Sequence, residues 1–373
     1  MHPVTFTHQQ YQPEKLFPFS LTRAVEEMPM GMMTNRRRWE LIVEQELKHE
    51  TGHSWFIPAN LLPSPLLVEQ LKGFSSGDFL QLEKDVFIGY GQPEAGFSGS
   101  PAHGTPEAAT DFIEHSWDLF EKNARLLDFD FKLLTAGRGS APVNGGNRVS
   151  NEAAVFIEEG ADVRFSVINA EEGPVYISKN ALVMEGTCIR GPVFIGERAV
   201  VKMGTRIYGG TTVGAFCTVG GEIKNSVLFP FSNKAHDGYL GDSVIGSWCN
   251  LGAGTSNSNL KNTAGNIRIT LPSGSYSAGM KCGVLMGDYS KAAINTSFNS
   301  GTVTGICTNI FGAGLTPKWI PSFSWGYPAV TIYELSKALE HLERWMQTKK
   351  QVITAEEKEL ITNIYNQTKT KKS

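Results

Sequence analysis

Eight aliphatic residues recur at strict six-residue intervals: Ile177, Val183, Ile189, Ile195, Val201, Ile207, Val213 and Val219. Four positions after each stand, in turn, Ala181, Thr187, Val193, Ala199, Thr205, Thr211, Cys217 and Ile223. On a helix six residues turn through about 600°, which scatters such a series around the axis. A strand of about four residues with a two-residue corner keeps it on one side, and repeating that unit stacks parallel strands around an interior ladder of small aliphatics. The spacing therefore predicts a mainly β chain built on a parallel hexapeptide-repeat solenoid. In weaker register the ladder reaches back to Ile157 and Val163 and forward through Ile245, Leu251, Met286, Phe298 and Ile310, so it covers roughly residues 155 to 314. With three hexapeptides per coil and about 4.8 Å between strands, about eight coils make a rod on the order of 40 Å long.

The rest of the chain brackets this rod. At 373 residues, 41% hydrophobic and 19% charged, the composition is that of a soluble chain with room for two domains, and 39 glycines suit solenoid corners. No stretch reaches the length of a transmembrane helix, and the opening MHPVTFTHQQYQPEKLF lacks the apolar core of a signal peptide; a cytoplasmic site of action without a membrane partner is expected. Five cysteines, odd in number and without CxxC spacing, argue against a disulfide framework or a zinc cluster, so no metal site is expected. Cys217 and Cys249 occupy the small-residue slot of the repeat and read as inert core thiols. A formal net charge of −3 gives no general affinity for nucleic acid.

Three regions follow. Residues 1–147 mix helical and strand-like segments around the turn-rich tract from Gly89 to Glu107, with a helix-like stretch from Ala108 to Leu127 and a linker at 137–147, and are expected to form a small α/β domain. The solenoid is assigned to 148–328. In 329–373 a helix over 332–349 aligns Leu335, Leu339, Leu342 and Trp345 or Met346 on one stripe, and a second over 355–367 opens with a Thr354/Glu357 capping box. The tail KTKKS is expected to be disordered. The cluster Arg36, Arg37, Arg38 and Trp39 reads as a basic helix face, with a phosphate contact as the alternative.

The repeat breaks between Val227 and Ile245: the six-residue clock has slipped by two from Val219 to Val227, and LFPFSNKAHDGYLGDS puts polar residues where the core needs aliphatics. A loop is expected to leave the prism there, and loops on rigid scaffolds are where binding and catalytic groups concentrate. This one carries His236, the only histidine between positions 116 and 340. A neutral imidazole with a pKa near 6.5 is well poised to take a proton from an attacking amine near neutral pH. Arg206 and Lys224 are either charge-assisted donors for a phosphate or solvated corner charges. Asn250 and Asn259 suit ligand contacts or tight corners.

The run EIKNSVLFPFSNKAHDGYLGDSVIGSWCNLGAGTSNSN, residues 222–259, resembles the acetyltransferase half of the bifunctional N-acetylglucosamine-1-phosphate uridyltransferase/glucosamine-1-phosphate acetyltransferase family. The resemblance implies a trimeric, left-handed parallel β-helix. It places the catalytic histidine, ahead of a Tyr-Leu-Gly-Asp motif, on His236, and the sugar-phosphate contacts on Arg206, Lys224, Tyr239 and Asn250. Acyl-CoA contacts fall on Ala253 and Asn259, with Lys318 standing in for a C-terminal arginine of the family that has no match here. The implied acyl donor is acetyl-CoA and the implied acceptor an amino-sugar phosphate or a nucleotide sugar.

The segments FPFSLTRAVEEMPMGMMTNRRRWE, FIPANLLPS and DFIEHSWDLFEKN resemble a divergent sugar nucleotidyltransferase domain joined to a hexapeptide helix, a likeness that spans nearly the whole sequence. It implies Lys15 and Arg23 as phosphate contacts, and Mg2+ if this domain transfers nucleotides. The basic, glycine-rich nucleotide loop usual in the uridyltransferase half has no counterpart in the first fifty residues, where Gly31 stands alone. The leading expectation is an acyl-CoA-dependent acetyltransferase with His236 as general base. The alternatives are a sugar-1-phosphate nucleotidyltransferase whose β-helix serves trimerisation or regulation, and a non-catalytic sugar-nucleotide-binding protein. Phe216, Trp248 and Tyr208 on the prism surface give more apolar area than a monomer tolerates and predict a homotrimer.

Overall fold

The computed structural model describes residues 3–8, 11–92, 106, 110–143 and 145–370. The turn-rich tract at 93–105 and the last three residues of the expected tail lie outside them. Short parallel strands wind around three faces. The first carries Val155–Ile157, Val175–Ile177, Val193–Ile195 and Thr211–Val213; the second Asp162–Val163, Leu182–Val183, Val200–Val201 and Thr218–Val219; the third Val167–Asn169, Cys188–Arg190 and Arg206–Ile207. Successive coils pair in line, Ile177 with Ile195 and Val213, Val183 with Val201 and Val219, Ile189 with Ile207 and Ile223. All of these side chains are buried. The first and third faces merge into a 13-stranded sheet and the second is a 10-stranded one. Cys217 and Cys249 are buried in the ladder, where burial pushes each thiol up to about 12, as expected of inert core cysteines.

At the polar segment the structure departs from the expected loop. Leu228, rather than Val227, takes the inward slot between Val213 and Ile245, and Val227 faces the N-terminal domain. The chain stays on the prism: Asn233–Lys234 continues the second face, paired with Thr218–Val219 below and Asn250 above, and Tyr239–Ile245 resumes the third. The shortened coil keeps its backbone bonds, so only the inward side chain changes, from Val219 to Lys234. The segment that does leave is 258–283, whose antiparallel hairpin Arg268–Leu271/Gly274–Ser277 packs Ile267, Ile269 and Leu271 against the N-terminal domain.

That domain is a four-stranded sheet with Val4–Thr7, Ser54–Pro58, Val86–Gly91 and Phe79–Glu83 in spatial order. Helices α1 (Asn35–Glu46), α2 (Pro65–Leu71), α3 (Asp118–Glu121) and α4 (Asn123–Thr135) accompany it. The helix expected around 108–127 starts only at Asp118, whose carboxylate accepts from the backbone N–H groups of Glu114 and His115 at 2.7 and 2.9 Å and holds a turn ahead of it. Arg38 is fully buried and bidentate on Asp130 (2.7 and 2.9 Å), tying α1 to α4; Arg36 pairs with Glu26 and Glu27, and Arg37 meets Glu40 and Glu44. All three arginines of the cluster are thus engaged with carboxylates.

The domain covers the first face. Thr212 donates to the Gly31 carbonyl at 2.6 Å, and Asn123 to that of Gly210 at 2.8 Å. Arg23 reaches into the solenoid to pair with Asp288, whose carboxylate also accepts from Thr22 Oγ1 (2.6 Å) and the Ser247 N–H (2.8 Å), and its guanidinium lies 4.7 Å from the Phe229 ring centre. Arg23 is therefore part of the interdomain joint.

Helices α5 (Leu335–Gln347) and α6 (Ala355–Thr370) close the corner between the first and second faces. α5 begins after 332 because Thr331–Ile332 pairs back onto Ser324–Trp325, while the Thr354/Glu357 box opens α6 with reciprocal bonds of 3.1 Å. Phe216, Phe231 and Trp248 stack along that corner at centroid distances of 4.8 and 4.3 Å, and Trp248 is only 6% exposed among α5 and α6 side chains. Trp248 is thus taken up by the chain's own helices, while Phe216 stays half-buried between the Phe231 ring and the Arg198 guanidinium and Tyr208 is 39% exposed. Two stability outcomes follow. Ile207→Ala should lower the unfolding free energy by about 2–5 kcal/mol, and Asp130→Ala, which strands the buried Arg38, by about 3–5 kcal/mol, both read by urea unfolding.

Candidate active site

His236 stands exposed at the corner between the second and third faces. The coil beneath it turns through Gly220 and Gly221, the latter at φ +76°. A Cβ on Gly220 would lie 2.6 Å from the Ala235 carbonyl oxygen and one on Gly221 2.8 Å from that of His236, so glycine alone lets the histidine coil settle so close. From inside the prism Lys234, 1% exposed, donates to the Gly220 carbonyl at 3.1 Å and to the His236 carbonyl. Burial pushes this lysine down to about 8, with Arg206 adding to the effect and Asp237 opposing it. The backbone that carries the imidazole is thus held from below and from within. On the coil above, the Gly254 N–H donates to the Asp237 carbonyl at 3.0 Å, which sets Ala253 on the same edge.

The third face presents a polar column. Arg206, Glu222 and Tyr239 are register partners, so the outer two backbones lie about 10 Å apart at about 4.8 Å per rung. Arg206 Nε is 3.7 Å from Glu222 at the surface, a weak pairing that leaves the guanidinium available. Lys224, exposed, is paired beside Gly241, over which the Tyr239 ring folds back: a Cβ there would come within 2.1 Å of the phenol oxygen. Asn259 donates to the phenol oxygen at 3.1 Å and also to Asp242, whose second oxygen accepts from Asn225 at 2.7 Å. Burial first, then Asp242 and Glu222, push the phenol up to about 12, so it stays a neutral donor. The face thus offers two exposed cations beside an oriented hydroxyl.

The other expected residues are dispersed. Asn250 lies on the second face, between Asn233 and Lys291. Lys318 sits at the opposite edge, donating to the Ser300 carbonyl and hydroxyl, away from Ala253. Lys15 lines a cavity of about 110 Å³ in the N-terminal domain with Asn60, Glu83 and Glu114. The six-residue spacing that runs through Val227 passes Lys234 by, because a slot falls on this lysine only once Leu228 turns inward. The Tyr-Leu-Gly-Asp motif ends on Asp242 without giving it a role, which rests on side-chain bonds to Asn225 and Asn259 that no spacing reveals. Among the described residues no three His, Cys, Asp or Glu side chains gather as a metal site.

Residues 8–139 match the family described as sugar nucleotidyl transferase. The chain is also 33% identical over 203 residues to the bifunctional protein GlmU of Methanocaldococcus jannaschii, and 30% identical over 203 residues to that of Methanococcus maripaludis. Each match takes in 52% of this chain and 41% of the relative, less than half of the relatives' length. Among solved structures, an Arabidopsis UDP-N-acetylglucosamine acyltransferase aligns over 60% of this chain and 88% of its own at 12% identity, with a TM-score of 0.30. The sequence matches are all to transferases. The chain thus joins a domain similar to sugar nucleotidyl transferases to the parallel β-solenoid described above.

Lys234 gives the site a measurable pH signature. Its folded pKa, about 8, lies below the ordinary 10.5, so the cost of its buried charge is fully present below pH 8 and is relieved as the pH rises toward 10.5. Relative to Lys234→Met, the native chain should gain roughly 3 kcal/mol of unfolding free energy across that interval, as measured by urea titrations at each pH.

Proposed function

We propose that this chain is an acyl-CoA-dependent acetyltransferase acting on an amino-sugar phosphate or a nucleotide sugar, with His236 as general base. The observation that carries the reading is the exposed imidazole on a corner thinned by two glycines and held by Lys234, beside the face bearing Arg206, Lys224 and neutral Tyr239. Arg206 and Lys224 take the acceptor's phosphate through charge-assisted bonds. Tyr239, oriented by Asn259, donates to a phosphate or sugar oxygen, and Asn250 contacts the sugar. The acceptor amine attacks the thioester carbonyl of acetyl-CoA, forming a C–N bond while His236 takes the amine proton. Collapse of the tetrahedral intermediate breaks the C–S bond, and the leaving thiolate receives the proton from the imidazolium. The products are the N-acetylated sugar and free coenzyme A. Ala253, on the same edge one coil further on, flanks the acyl donor.

The reading includes a homotrimer. Phe165, Met203 and Ile294, 67%, 67% and 69% exposed, stand on the His236 edge, while the first face and its corner are already covered by the chain's other parts. Packing that edge against a second copy buries them and sets His236 of one protomer against the face of the next. A stable monomer in sedimentation would count against it.

A second reading is favoured by the family match over 8–139: nucleotidyl transfer in the N-terminal domain, with Lys15 as the phosphate contact. It requires pyrophosphate release from a nucleoside triphosphate and a sugar-1-phosphate with Mg2+. Absence of that release across a substrate panel removes it, and a chain that binds nucleotide sugars but turns over neither reaction is a binding protein.

For the leading reading, His236→Ala should lower kcat for acetyl transfer about 10²- to 10⁴-fold with an unchanged circular dichroism spectrum, and Arg206→Ala should act chiefly on KM for the phosphorylated acceptor. An undiminished rate in His236→Ala refutes the assignment.

A further inference from the structure

Beneath α5, on the second face, lies a cavity of about 140 Å³ lined by Tyr289, Lys291, Asn309, His341 and Trp345 among others, with no Asp or Glu among the described residues of its wall. Lys291 occupies the rung next to Asn250 and Asn309. Its ammonium donates to the Trp248 carbonyl at 2.7 Å and lies 4.8 Å from the centre of the Trp345 ring. An ammonium has three N–H donors, so this contact leaves two. Burial pushes the group down to about 8. The Trp345 indole N–H, also buried, has no hydrogen-bond partner. His341 is already engaged, its Nδ1 2.7 Å from the Tyr333 hydroxyl, and the Tyr289 hydroxyl is directed to Glu357 at 3.2 Å.

Among the described residues, then, one cavity is lined both by a lysine that no carboxylate pairs and by the tryptophan whose N–H lacks a partner. Native proteins seldom leave such donors empty, and each one calls for a water or an ion. We infer that this cavity is a binding site for a compact oxyanion of the phosphate or sulfate type, held by Lys291 and Trp345. Its size supports the class: a cavity of about 150 Å³ accommodates a benzene molecule, which leaves room for a tetrahedral oxyanion and none for a nucleotide. The anion supplies the missing charge and accepts from both nitrogens, so its occupancy fastens α5 to the solenoid. The inference stands whether or not His236 is catalytic.

The full chain is melted in potassium phosphate, potassium sulfate and potassium chloride at matched ionic strength, and phosphate binding is titrated by calorimetry. The expected result is a saturable rise in Tm with phosphate and sulfate beyond that in chloride. Trp345→Phe, which keeps an aromatic ring under the ammonium and removes the N–H, should weaken phosphate binding about tenfold, and Lys291→Met should abolish it. The Trp345→Phe arm carries the test if Lys291→Met does not fold. Oxyanions that stabilise no better than chloride overturn the proposal. So does phosphate binding unchanged in either variant, since the anion would then sit elsewhere, for instance at Arg206 and Lys224.

Discussion

Stacking of like side chains in line, rung upon rung, is the constraint from which the rest of this molecule follows. The prism interior is narrow, so every coil must fill the same three inward slots, and a misfit in one rung is felt by both neighbours. Columns such as Ile177, Ile195 and Val213 meet that demand. Where the spacing shortens between Val213 and Leu228, the backbone ladder is kept and the change is absorbed in which residue turns inward. Where far more chain is added, at 258–283, it is ejected at a corner and covered by the N-terminal domain. The scaffold tolerates insertion only where the ladder is not interrupted.

Lys234 is the exception that shapes the site. An ammonium in an apolar column is unfavourable, and burial moves its pKa accordingly. The compensation is local: carbonyls of Gly220 and His236, crowded together by a glycine corner, receive its protons. A local violation of the packing rule thus coincides with the candidate catalytic residue, as expected where function competes with stability. Arg206 lies near enough to influence the same lysine, so this surface cation and the cation in the core belong to one electrostatic neighbourhood.

The attached parts decide which surfaces remain available. The N-terminal domain, joined through Arg23 and Asp288, covers the first face, and α5 and α6 cover the aromatic corner of Phe231 and Trp248. What stays open is the edge with His236 and the third face with Arg206, Lys224 and Tyr239. The same enclosure creates the Lys291 cavity, because a lysine that would be solvated on a bare prism face is roofed by α5.

By itself, the sequence determined the solenoid, its inward columns from Ile177 to Val219, the capping box of α6 and the polar set around His236. These are readable because they depend on side-chain period or on residues a few positions apart. The tertiary structure alone decided that Leu228 and Lys234 turn inward, that Arg23 joins two domains and Arg38 two helices, that Trp248 is covered, and that Lys318 lies on the edge opposite Ala253. Each depends on a partner far along the chain, Asp288 for Arg23 and Asp130 for Arg38, and contact between distant segments leaves no periodic trace in the order of residues.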